Sequence, residues 1–234
     1  MIGTLLNVAT VILGGTLGWL LGSRLPERLR QTVVAGLGLF TCALGFQMFL
    51  KTENPLVVLG GLLLGTLVGE WLRIEDGLQR LGVFLEVRFT RKTDAGDNRF
   101  LRGFLTSSLL FCIGPMTILG AIQDGLTGDY KLLAIKAIMD GFAAMAFASS
   151  LGVGVLFSAL VILVYQGGIS LLASLVQSVV TTAMMNEMTA AGGILLIGLA
   201  ISVLLDIKKI RVANFLPALL FAPLITALLA LLPK

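Results

Sequence analysis

Nine apolar runs make up most of this chain, at residues 2–22, 32–50, 55–72, 104–122, 132–148, 150–166, 168–185, 190–205 and 212–232. A run of this length that enters lipid must satisfy its own backbone N–H and C=O groups, and a helix does so within one segment. The runs therefore predict an all-α integral membrane protein of about seven to nine hydrophobic helices. Charge agrees with this: only 13% of the 234 residues are charged and 57% are hydrophobic, against about 25% charged in soluble domains. No basic stretch precedes the first run and no clear small-x-small cleavage site follows it, so it reads as a retained helix.

The basic residues set an orientation. Arg24, Arg28 and Arg30 lie in the 22–31 loop, seven lysines and arginines lie in 73–102, and Lys208, Lys209 and Arg211 follow residue 205. All three segments are expected on the cytoplasmic side of a bacterial inner membrane. The net charge of +4 is spread over such loops and does not suggest nucleic-acid binding. An even number of crossings must then separate 102 from 206, where five runs lie. The two most polar runs, 132–148 and 168–185, are the candidates for a non-spanning or re-entrant segment. Residues 74–85 place Ile74, Leu78, Leu81 and Leu85 at helical spacing, which predicts an amphipathic surface helix.

Gly14, Gly18 and Gly22 recur every four residues, as do Gly61, Gly65 and Gly69. Each set opens a groove along one helix face where a second backbone can approach; the two grooved helices are expected to pack together or to build a subunit interface, and the protein is expected to be a homo-oligomer, most simply a dimer. Gly3, Leu5 and Gly14 match Gly103, Leu105 and Gly114 at an offset of 100. This suggests an inverted three-helix repeat, with one unit over 1–102 and a second over 103–234 in a single membrane domain.

Chemistry concentrates in 103–150. Gly114-Pro115 interrupts an apolar run and leaves backbone carbonyls unpaired, which is tolerated at membrane depth only inside protein or beside water. A polar loop with Asp124 and Asp129 follows. The next run carries Lys136 and Asp140, four apart on one face: either an ion or anion site, or a neutralising pair. Outside this stretch stand Gln166 in a polar Gln-Gly-Gly turn, and Glu187, expected to cap the helix at 190 or to face a cavity. Asn214 stands early in the last helix, where it suits a cap. Thr4, Asn7 and Thr10 form a weak polar stripe on the first helix. Cys42 and Cys112 read as buried thiols. With no histidine and no HExxH, GxSxG, Walker or CxxC motif, neither an enzyme nor a metal or cofactor site is expected.

The chain resembles the bacterial YqgA-like membrane proteins, a family of unknown function with members described as candidate transporters. The resemblance rests on GTLLN, LLFCIGPMTILGAIQDGLTGDY, KAIMDG, FASSLGVGVLFSA, YQG, MNEMTAAGG and VANFLPA, and covers nearly the whole chain. It implies family-like polar positions at Asn7, Asp124, Asp129, Lys136, Asp140, Gln166, Glu187 and Asn214. Pro115 departs from the small or non-proline residue usual at that place. Of these, Asn7, Asp124, Lys136, Asp140, Gln166, Glu187 and Asn214, together with Gly114, are the candidate solute or ion site of a secondary transporter embedded in membrane lipid. The alternatives are a channel-like oligomer lined by Ser170, Ser174, Gln177 and Thr181, and a scaffold that binds partners through its glycine faces.

Overall fold

The computed structural model describes residues 1–22, 26–89, 99–173 and 181–231, and among these the regular structure is helical, without strands. The helices are α1 (Ile2–Gly22), α2 (Glu27–Phe49), α3 (Pro55–Leu72), α4 (Ile74–Phe89), α5 (Arg99–Cys112), α6 (Pro115–Thr127) and α7 (Lys131–Leu151). A 3-10 turn, Val153–Phe157, leads into α8 (Ser158–Leu171). Then come α9 (Thr182–Leu199), extended by a π turn over Ala200–Leu204, a 3-10 turn at Val212–Phe215, and α10 (Ala218–Ala230). Among the described residues seven helices are long and apolar enough to cross a membrane, and α5 and α6, bent by 62° at their break, pass the same test when taken together as an eighth. Leucine and other large apolar side chains crowd the exposed surface while threonine, asparagine and aspartate are buried, the distribution expected of a lipid-facing bundle.

Contacts group the described residues into two compact units, one of residues 1–37 with 79–178 and one of 38–78 with 179–234. Each unit draws on both sides of residue 102, so the grouping interleaves the chain and does not follow a break at 102/103.

In the first unit the α1 glycine groove lies on α7. A Cβ built on Gly14, Gly18 or Gly22 would stand 2.0–2.1 Å from the carbonyl oxygens of Gly141, Met145 and Ser149. The numbers rise together, so α1 and α7 run parallel. The bent pair runs the other way, since Gly103 lies beside Leu151 while Asp124 binds the backbone of Gly3. Its two ends therefore reach opposite ends of α7, which makes α5–α6 a broken crossing. Residues 153–171 are also antiparallel to α1, with Leu156 against Gly15 and Gln166 against Thr4.

In the second unit the α3 groove receives α10 and the turn before it. Gly61 faces Ala222, Gly65 faces Ala218 and Gly69 faces Asn214, so these helices are antiparallel. Asn54 caps α3 by accepting from the Leu56 N–H, with Pro55 just inside the start. Both glycine grooves are thus filled within the chain, and neither remains as a face for a second copy or a scaffold partner.

Two expectations about crossings are corrected. The run 132–148 is not a non-spanning segment, because α7 is a continuous 21-residue helix. The run 168–185 is not one helix: its start closes α8 and its end opens α9, while 174–180 lie outside the described residues. Among the described residues, and with the bent pair counted as one span, four candidate spans lie between 99 and 205, an even number as the basic loops require. Three spans separate α1 from α7, as their parallel packing demands. The amphipathic helix is present as α4, although its buried positions are Glu75, Gly82 and Leu85 and Leu81 is exposed. The offset-100 match does not extend to local structure at its last pair. Gly14 is mid-helix, whereas Gly114 lies at the α5–α6 break with φ 156° and ψ 149°.

This arrangement carries a topological expectation. With Cys42 and Cys112 replaced by alanine, Lys208→Cys should resist an impermeant maleimide on intact cells, and Asp129→Cys should react. Both positions are exposed. Labelling of Lys208→Cys from outside would reverse the orientation.

Candidate functional site

Halfway along α7 the first unit gathers a polar cluster from three helices. Asp140 is the tenth residue of α7, about 14 Å from its start at the usual helical rise. One turn earlier, Lys136 brings its ammonium onto Asp140 Oδ2, as the four-residue spacing predicts. On the facing surface of α1, Asn7 donates from Nδ2 to Asp140 Oδ2 at 3.0 Å and to Gln166 Oε1 on α8 at 3.1 Å. Gln166 Nε2 donates in turn to Thr4 Oγ1 at 3.2 Å. Asn7, Gln166 and Thr4 are fully buried, whereas Lys136 and Asp140 keep 7% and 8% exposure. The close α1–α7 approach makes this possible, because short amide and carboxylate side chains meet only when the two backbones nearly touch.

The cluster carries no net charge, since the lysine balances the aspartate. One polar atom is left over: Asn7 Oδ1 is buried without a hydrogen-bond partner. Its identity as oxygen follows from its neighbours, because the other end of the amide meets a carboxylate oxygen and an amide oxygen and must donate to both. A buried, unpaired acceptor beside an ion pair is costly unless something binds there.

The elements around the cluster add further polar groups. Cys112, at the end of α5, is buried, and Tyr165 stands one residue before Gln166 on α8. Thr106, Ser107 and Ser108 on α5 are buried with unpartnered hydroxyls, as is Ser170, one turn beyond Gln166 on α8. Sequence reading did not single out the α5 hydroxyls, although Thr-Ser-Ser inside an apolar run was the available signal. At the break, Thr117 Oγ1 donates to the Phe111 carbonyl and satisfies one acceptor that the interrupted helix leaves open.

The other expected site residues fall elsewhere. Asp124 is not in a loop but in the last turns of α6. It accepts from the Gly3 N–H at 3.0 Å and pairs with the Met1 amine, so it caps the start of α1. Asp129 is exposed and accepts from the Lys131 N–H at the start of α7. Gln166, Gly167 and Gly168 form no turn, since α8 continues to Leu171.

Glu187 and Asn214 belong to the second unit and are occupied by local structure. Glu187 lies within α9 and does not cap the helix it belongs to. Its carboxylate closes the turn before α3, accepting from Thr52 Oγ1 at 2.6 Å and from the N–H groups of Glu53 and Asn54 at 2.7 and 2.9 Å. Asn214 Oδ1 accepts from the Glu75 N–H at 2.7 Å, and Glu75 Oε2 accepts from the Ala213 N–H at 2.9 Å. Both are structural caps. Glu187→Ala should lower stability by about 2 kcal/mol or more, because three donors lose a charged acceptor. A melt of the purified variant checks this, and Glu187→Gln should recover part of the loss.

The channel stripe is not assembled among the described residues. Ser174 and Gln177 lie outside them, and Thr181 is exposed, with its hydroxyl accepting from the Met184 N–H to cap α9.

Comparison with known proteins places the chain in a family. Residues 2–227 match the model described as "Protein of unknown function (DUF554)". The "Uncharacterized protein YqgA" of Escherichia coli strain K12 is 35% identical over 224 residues, covering 95% of this chain and 94% of that protein. The "Uncharacterized membrane protein YdfK" of Bacillus subtilis strain 168 is 30% identical over 230 residues, covering 96% and 95%. No solved structure matches. With the fold of an all-α membrane protein and its motifs spread along nearly the whole length, the chain belongs to the DUF554 family, the YqgA-like membrane proteins of unknown function.

Proposed function

We propose that this protein is a secondary transporter that moves a small solute or ion across the bacterial inner membrane by alternating access, with the Asn7–Asp140–Lys136–Gln166 cluster as its site. The observation that carries this reading is the unpartnered Asn7 Oδ1, buried beside an ion pair at mid-helix. An ion pair kept only to neutralise itself needs no orphan acceptor next to it. Support also comes from the break between α5 and α6, which lies in the same unit as the cluster. Broken helices at membrane depth are where transporters place their sites.

The reading is tested by flux into proteoliposomes over a panel of inorganic cations and anions. Saturable uptake with counter-transport is expected. Absence of flux for every member of the panel would remove the transporter reading.

A further inference from the structure

We infer that the cluster couples one proton, taken up by Asp140, to one small monovalent anion, held by Lys136. This rests on the reading of the cluster as a transport site and names its substrate class.

The carboxylate and an incoming anion compete for the same ammonium. While Asp140 is ionised, Lys136 is neutralised and an anion has no free charge to meet. A metal cation at Asp140 would face that ammonium, so a cation site is disfavoured for the same reason. Protonation of Asp140 alone leaves a buried lysine unpaired, which is costly. Protonation together with anion entry does not: one positive and one negative charge arrive, and the site stays neutral. Each ligand therefore favours the other.

The hydrogen-bond chain is built to run both ways. In this structure its donors point along Gln166 to Thr4, and from Asn7 to both Gln166 and Asp140. A protonated Asp140 has an O–H that needs an acceptor. Reversing both amides supplies one: Asn7 Oδ1 accepts from Asp140 and from Gln166 Nε2, and Gln166 Oε1 accepts from Thr4. The chain ends at a hydroxyl, which donates as readily as it accepts, so the reversal strands no group at that end. Reversal also exchanges the orphan acceptor on Asn7 for an orphan N–H donor, which suits an anion.

Few other titratable groups lie on the elements around the cluster. The side chains of α1 have none and neither does the turn Val153–Phe157. Besides Cys112, α5 carries Arg99 and Arg102 in its first turn; α6 carries Asp124, already paired with the Met1 amine; and α8 carries Tyr165.

The test is anion binding followed by thermal unfolding of the purified protein in mild detergent, titrated with sodium nitrate or sodium chloride between about pH 5.5 and about pH 8. The apparent affinity for the anion should rise by up to about tenfold per unit fall in pH, the limit for one proton per anion. Asp140→Asn, which mimics the protonated acid, should bind the anion with no pH dependence, and Lys136→Met should not bind it. Wild-type binding that ignores pH, stabilisation that follows sodium when nitrate is replaced by gluconate, or no stabilisation by either anion would each overturn the inference. The wild-type titration decides even if a variant fails to fold. Proton-linked binding without flux in liposomes would keep this inference and remove the transporter reading, whereas saturable flux of a cation without proton or anion dependence would do the reverse.

Discussion

Gly18→Leu is expected to prevent the first unit from assembling. Even the single carbon of alanine would stand 2.1 Å from the Met145 carbonyl oxygen, and that oxygen belongs to backbone, which cannot rotate away. The helices must separate by more than an ångström, and overpacking of that kind costs more than about 3 kcal/mol. The effect should reach the cluster, because Asn7 meets Asp140 only while α1 and α7 remain in contact. Purified Gly18→Leu should therefore melt far below the wild type, or fail to accumulate, and should show no anion stabilisation. Gly168→Ala is the control. It lies in α8 with open space around the site of its Cβ, and it should be neutral or slightly stabilising. Equal stability of Gly18→Leu and wild type, measured by melting in detergent, would mean that α1 does not pack on α7 through this groove.

The glycine spacing was legible in the sequence, but its partner was not. Four-residue spacing shows that a backbone can approach; it does not say which one. Both grooves prove to be filled by later helices of the same chain, α7 for one and α10 for the other, which removes the reason for expecting self-association through them. The apolar runs gave the helices with the same kind of gap. Hydropathy cannot see where one apolar stretch ends when the next follows through a few small residues, so the runs around 150–185 were divided in the wrong places. The Gly-Pro break needed no tertiary information, because a missing donor beside a permissive glycine interrupts a helix wherever it occurs.

The candidate site was legible to the same degree. Lys136 and Asp140 were paired from spacing alone, because i and i+4 share a face in any helix. Asn7 and Gln166 are 133 and 26 residues from Asp140, and nothing local joins them; the sequence marks one as part of a polar stripe and the other as a polar residue between apolar runs, and only the fold brings them together. Glu187 and Asn214 show the opposite case. A lone buried carboxylate or amide in an apolar chain looks like a ligand group, yet backbone N–H groups at helix starts are equally demanding partners, and those starts belong to distant segments.

Lys136→Met combined with Asp140→Leu should give a protein that folds and does not transport. Lysine precedes aspartate here, the less favourable order for an ion pair along a helix, so support of α7 explains the pair poorly. Removing one partner strands the other: Lys136→Met alone leaves a carboxylate at mid-helix, and should cost about 3–5 kcal/mol unless Asp140 takes up a proton. Removing both replaces a buried ion pair by apolar side chains of similar length, which is often neutral or stabilising. The double variant should therefore be more stable than Lys136→Met, with the two changes strongly non-additive in a melt cycle. Flux and proton-linked anion binding should both be lost in it, since neither the proton acceptor nor the anion's partner remains. Full transport by a double variant of normal stability would sink the site and leave the pair as a device that makes α7 cheaper to insert.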